Sequence, residues 1–225
     1  MEGSYDATSY GYLRRALLRL ADGTREALFY EAFELRCGIE AKLKERVEAL
    51  DYLAKRKKKG WKIKHAWLEI AKAFKTGDKV IEYVITGDDE KFTFSLFYIP
   101  LKQSTRDAVE KQLPQLLHAM PEVSSQKGEA WWDGTRSLLI EIADDLADAN
   151  RGTLMGLMFE PVRATPQGLV LEPGEKKLTS LFLVNGSDIA KLVQRHFTQG
   201  KPLRIEPRVW NGIPEHAQPF LNPIK

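Results

Sequence analysis

Cysteine is almost missing from this sequence. Cys37 is the only one in 225 residues, so an internal disulfide is impossible and a zinc site of several thiolates is excluded. That usage suits a reducing compartment, and a cytoplasmic location is the expectation. Long apolar runs are missing too. No window approaches the roughly 18 uninterrupted apolar residues of a membrane span. The opening MEGSYDATSYGYLRR lacks the basic-then-apolar order of a signal peptide, so no membrane partner is expected. Neither GxSxG, a P-loop, HExxH nor a GxGxxG after a strand is present. The common hydrolase and nucleotide-binding fingerprints are therefore excluded, no cofactor is implied, and whether the chain is an enzyme is left open. There is no internal repeat at solenoid periods.

What is present is ordinary globular composition, 43% hydrophobic and 29% charged, in a chain long enough for one large domain or two small ones. The net charge of +3 is small, but its distribution is polarised. Between Lys55 and Lys75, nine lysines and arginines face a single acid, Glu69. Glu141, Asp144, Asp145 and Asp148 form an acidic run with no base among them.

The longest periodic segment runs from Thr24 to Leu53. Leu28, Ala32, Leu35, Ile39, Leu43, Val47, Leu50 and Leu53 recur at steps of three or four, which places them along one side of a helix. Glu31, Glu34, Arg36, Glu40, Lys42, Lys44, Glu45 and Glu48 lie between them and read as its exposed face. A shorter helix precedes it from Thr8 to Ala21, with Tyr10, Leu13, Leu17 and Leu20 as its stripe. Gly23 suits a left-handed C-terminal cap and Thr24 an N-cap. Ile63, Trp67, Ile70 and Phe74 mark a third helix. From Lys79 the period changes to the alternation of a β-hairpin around Gly87-Asp88-Asp89.

Ser104 to Ala119 reads as a helix opened by a Ser104–Asp107 cap and interrupted by Pro114. Thr135 to Ala149 reads as another helix, preceded by Trp131 and Trp132. In the last third the pattern predicts a strand at TLMGLMFEPV, two in LVLEPGEKKLTSLFLV, a helix over Asp188 to Thr198, an edge strand at KPLRIEPRVW and an extended tail. The fold class is α+β: an N-terminal antiparallel helical hairpin or bundle, then a mainly antiparallel sheet with packed helices. The change of character near Thr76 separates 1–76 from 77–225, as two units or within one continuous domain.

Three groups of residues carry candidate chemistry. Lys55, Arg56, Lys57, Lys58, Lys59, Trp61, Lys62 and Lys64 combine phosphate-neutralising charge with an aromatic stacking surface. The plainer reading is a solvated loop, with the neighbouring Trp67 in the core. Glu141, Asp145 and Asp148 fall at i, i+4 and i+7, a carboxylate row able to hold a divalent ion if a second element adds ligands; an acidic solvated face is the plainer reading. The histidines His65, His118, His196 and His216 form no local constellation. Cys37 reads as core filling, and Arg36 as half of a buried ion pair with Glu40 or an acid from another helix.

The segment ALFYEAFELRCGIEAKLKE resembles the long helix of HEPN-like helical domains, over about Tyr10 to Phe74. Catalytic members of that group carry Arg, four to six residues, then His, a spacing this sequence does not contain. The resemblance thus implies a helical module without ribonuclease activity.

Three functional readings follow. The leading one is a non-enzymatic accessory or adaptor protein that contacts nucleic acid or an acidic protein through the basic segment. The second is a metal-dependent nuclease using the acidic helix. The third is a self-assembling protein that buries the apolar stripe and an exposed Trp131–Trp132 pair between copies.

Overall fold

A computed structural model describes residues 5–49, 63–74, 77–87, 93–117, 127–153, 169–171 and 203–221. Helix α1 (Ser9–Asp22) starts where the Thr8 hydroxyl accepts from the Gly11 N–H at 3.1 Å. It stops at Gly23, whose φ of 68° is a left-handed conformation that a side chain would strain. Thr24 then accepts from the Ala27 N–H at 3.2 Å and opens α2 (Arg25–Ala49). The two helices pack as an antiparallel hairpin clipped by Arg15–Glu34 at 2.9 Å. The expected α1 stripe is rotated. Ser9, Leu13 and Ala16 are buried while Leu17 is exposed, because the short side chains allow α2 to come close.

On α2 the apolar stripe is buried as its spacing predicts, from Leu28 through Val47; Leu50 and Leu53 lie outside the described residues. Helix α3 (Ile63–Phe74) buries Ala66, Trp67 and Ile70 against it. Helices α4 (Gln103–Lys111), α5 (Leu113–Leu117) and α6 (Glu129–Arg151) complete one hydrophobic core with the first three. The segment expected as one kinked helix is two, and Pro114 falls in the first turn of α5, where its missing N–H has no helical partner to lose. Helix α6 starts earlier than predicted and includes both tryptophans. Gly38 lets α1, α2 and α6 meet closely: a Cβ there would stand 2.8 Å from Leu146 and 3.2 Å from Tyr12.

The sheet is antiparallel, in the order β2-β1-β4-β3, with β1 Val80–Gly87, β2 Thr93–Tyr98, β3 Leu169–Leu171 and β4 Leu203–Trp210. The β1–β2 hairpin runs in register from Ile81↔Tyr98 to Thr86↔Thr93. Strand β4, expected at an edge, lies between β1 and β3. Pro207 lies beyond the described β3 pairing, which covers Leu203–Ile205. The tail is not extended throughout: Glu215–Phe220 forms a 3₁₀ turn that buries Ala217 and packs on β2. With Leu221 it closes a second small core against Val80, Phe97 and Ile99. The strand expected in TLMGLMFEPV, apart from Thr153, and the helix expected over Asp188 to Thr198 lie outside the described residues.

Gly152 joins the helices to the sheet. A Cβ there would stand 2.8 Å from the Phe97 carbonyl oxygen and 3.0 Å from the Ile99 nitrogen, and the neighbouring Thr153 N–H donates to the same carbonyl at 2.7 Å. Because backbone cannot yield as a flexible side chain does, Gly152→Ala is expected to cost about 2 kcal/mol. Chemical denaturation is the check.

Candidate functional site

Of the basic segment, Lys64 alone is described. It stands exposed beside exposed His65 in the first turn of α3, a turn with no acid. Lys55, Arg56, Lys57, Lys58, Lys59, Trp61 and Lys62 lie outside the described residues, as do His118 and His196. Trp67 is only 7% exposed and belongs to the core.

The acidic row divides. Glu141 and Asp144 are exposed, and Asp148 is half-buried near Arg151. Asp145 is 1% exposed and turned inward. Its Oδ2 accepts from the Lys102 N–H at 2.9 Å, and Lys102 Nζ lies 3.8 Å from Oδ1. Beside it, Asp78 accepts from the Gln103 N–H at 2.9 Å. These two carboxylates cap α4, where a local Ser104–Asp107 cap was expected and the N-cap residue Lys102 makes no side-chain capping hydrogen bond. Burial raises the Asp145 pKa, against the opposing effects of the Thr105 and Lys102 hydrogen bonds and the Lys102 and Arg46 charges. Among the described residues no three His, Cys, Asp or Glu side chains are grouped to hold a metal.

The buried arginine of α2 is Arg46, not Arg36. Arg36 bonds Glu40 at 3.2 Å with both partners about one-third exposed. Arg46 is 1% exposed, donates to the Ile99 carbonyl and lies 4.9 Å over the Tyr98 ring. It borders a cavity of about 70 Å³ also lined by Trp67, Tyr98, Asp78 and Gln103. Cys37 is half-buried, and burial pushes its thiol pKa up despite the nearby Arg36. The surfaces suggested for self-assembly are used internally. The α2 stripe is buried, and Trp132 is 6% exposed, edge-on to Phe29 at 5.9 Å.

A cluster that the sequence does not bring together lies on the sheet. Glu82, in the middle of β1, is 2% exposed. Ser95 donates to its Oε1 at 2.7 Å, and the Trp210 indole N–H donates to Oε2 at 3.0 Å. His216 Nε2 lies 3.2 Å from the same Oε2. Burial opposes ionisation of Glu82, yet the bonds from Ser95, His216 and Trp210 together hold its pKa below the ordinary value. Because an ionised carboxylate only accepts, Nε2 carries the proton and Nδ1 is left at the other edge of the ring. The His216 side chain is 48% exposed and packs against Trp210 and Phe97, at 5.2 and 5.9 Å between ring centres. The strand register puts Arg208 opposite Glu82 and Glu82 opposite Phe97, one rung across three strands. A glutamate inside the otherwise apolar run VIEYVI was the one signal of this cluster in the sequence. Nothing local pointed to His216 as its partner.

No family model, curated protein or solved structure matches this chain.

Proposed function

We propose that the protein works by contact, as a cytoplasmic accessory or adaptor that meets nucleic acid through Lys55, Arg56, Lys57, Lys58, Lys59, Trp61, Lys62 and Lys64. The supporting observation is the first turn of α3, which follows this run in the sequence. Ala66, Trp67 and Ile70 fix the helix in the core, while Lys64 and His65 face solvent on a first turn without an acid. The positive end of the helix dipole and the Lys64 charge then add, giving a field that attracts phosphate over roughly a Debye length of 8 Å. Lysine meets phosphate as a point charge, so the expected binding has little sequence preference.

The test is binding of labelled single- and double-stranded DNA and RNA across a salt series. The variant carries Lys55, Lys57, Lys58 and Lys59 changed to Ala. Wild-type affinity is expected to fall steeply with salt. The variant should bind more weakly and lose up to about 0.9 from the log–log salt slope per phosphate contact removed. No affinity for any nucleic acid at low salt, or an unchanged slope in the variant, rejects the reading.

A further inference from the structure

We propose that the Arg208–Glu82–Phe97 rung and the 3₁₀ turn above it form a binding site for a phosphate-bearing aromatic ligand, a nucleotide by chemical class. This site is separate from the basic segment and stands or falls independently of it. Three exposed groups are each tied to the rung. Arg208 faces solvent opposite Glu82, so the two Cβ atoms are about 5 Å apart. His216 is fastened to Glu82 through Nε2, and its other edge is left for a ligand. Phe220 is 42% exposed and packs on Phe97 at 6.3 Å, as His216 does at 5.9 Å.

The chemistry follows from what each group recognises. Arg208 has no ion-pair partner among the described residues, although a buried carboxylate lies one strand away. The Ser95, Trp210 and His216 bonds already occupy that carboxylate, so Glu82 does not hold the guanidinium fork, whose geometry suits an oxyanion. The Nδ1 lone pair of His216, held in one orientation by Glu82, accepts a hydrogen bond from a hydroxyl or amine of the same ligand. Phe220 offers an aromatic surface at the Phe97 end of the rung, sequence-tolerant toward any base that stacks on it. A bare anion would use Arg208 alone, and an uncharged nucleoside only the other two. A ligand with both parts uses all three.

The experiment is an NMR titration of the full chain with AMP, adenosine and inorganic phosphate in parallel. It follows the His216 ring nitrogens and the Trp210 indole N–H. AMP is expected to shift both sets of signals, and adenosine and phosphate each to bind about tenfold or more weakly. Arg208→Gln, at an exposed position, should weaken AMP about tenfold or more. His216→Gln, which keeps a hydrogen-bond donor toward Glu82, should also weaken it, while the exposed Lys79→Gln should not. The proposal is overturned if about 10 mM AMP leaves the His216 and Trp210 signals unmoved. It is likewise overturned if adenosine binds as well as AMP, or if Arg208→Gln binds AMP like the wild type.

Discussion

Asp145→Ala is expected to lower the free energy of unfolding by about 2 kcal/mol, from a lost helix cap and a part-buried Lys102 N–H left without its acceptor. Asp145 is the residue that holds α4 against α6: its carboxylate accepts from the Lys102 N–H across 43 positions of sequence. Alanine removes that acceptor from a part-buried bond. Asn is expected to recover most of the loss, because its amide oxygen still accepts from the same N–H while the pairing with Lys102 disappears. Urea unfolding measures both, and a fall in midpoint at unchanged slope marks a change of stability alone. Equal stability of the alanine variant and the wild type would remove Asp145 from this role. The pair also bears on a metal-dependent nuclease. Loss of any activity in Asp145→Ala would first reflect a weakened fold, whereas the Asn variant tests the carboxylate on a fold that persists.

How far the sequence could be read follows from what periodicity reports. It finds apolar residues in repeating positions, and so located Leu28, Leu35, Ile39 and Leu43 on α2 and the β1–β2 hairpin correctly. It says nothing about how many sides of a helix are covered. Helix α2 packs against α1, α3, α5 and α6, so Glu31, Lys42 and Arg46, which lie off the apolar stripe, are buried as well. Glu31 and Lys42 looked like part of a solvated face because charged residues usually are. Long-range pairing was equally hidden. The caps of α4 come from Asp78 and Asp145 rather than from Ser104, and Glu82 finds His216 only when β1 and the C-terminal turn meet. The basic segment shows the opposite case: its charge pattern is plain in the sequence, while Lys64 is its one described member.

The buried charges of α2 predict opposite pH dependences on the two sides of neutrality. Glu31 is fully buried and neither carboxylate oxygen has a hydrogen-bond partner among the described residues; burial pushes its pKa from 4.5 to about 7, with Arg136 opposing. Above pH 7 both folded and unfolded states are ionised, and the folded state carries the full cost of the buried charge. As pH falls from 7 to 4.5 the folded state takes up the proton first, and that cost disappears. Glu31→Met should therefore gain on the wild type by about 3 kcal/mol above pH 7, less any packing loss, with the gain vanishing toward pH 4.5. Lys42, 2% exposed, is the mirror case: burial and then the Arg46 charge lower its pKa from 10.5 to about 7, with Glu45 opposing. Its cost is full below pH 7 and fades as pH rises toward 10.5. Lys42→Met should gain most on the acid side, by an amount of the same order. The two stability differences from wild type, measured by denaturation at a series of pH values, should slope in opposite directions. A flat difference for Glu31→Met between pH 4.5 and 7 would mean that its carboxyl has a partner or water access in solution. A flat difference for Lys42→Met between pH 7 and 10.5 would mean the same for its amine. Each variant decides its own case, since the residues lie three turns apart on α2 and removing one leaves the other's burial in place.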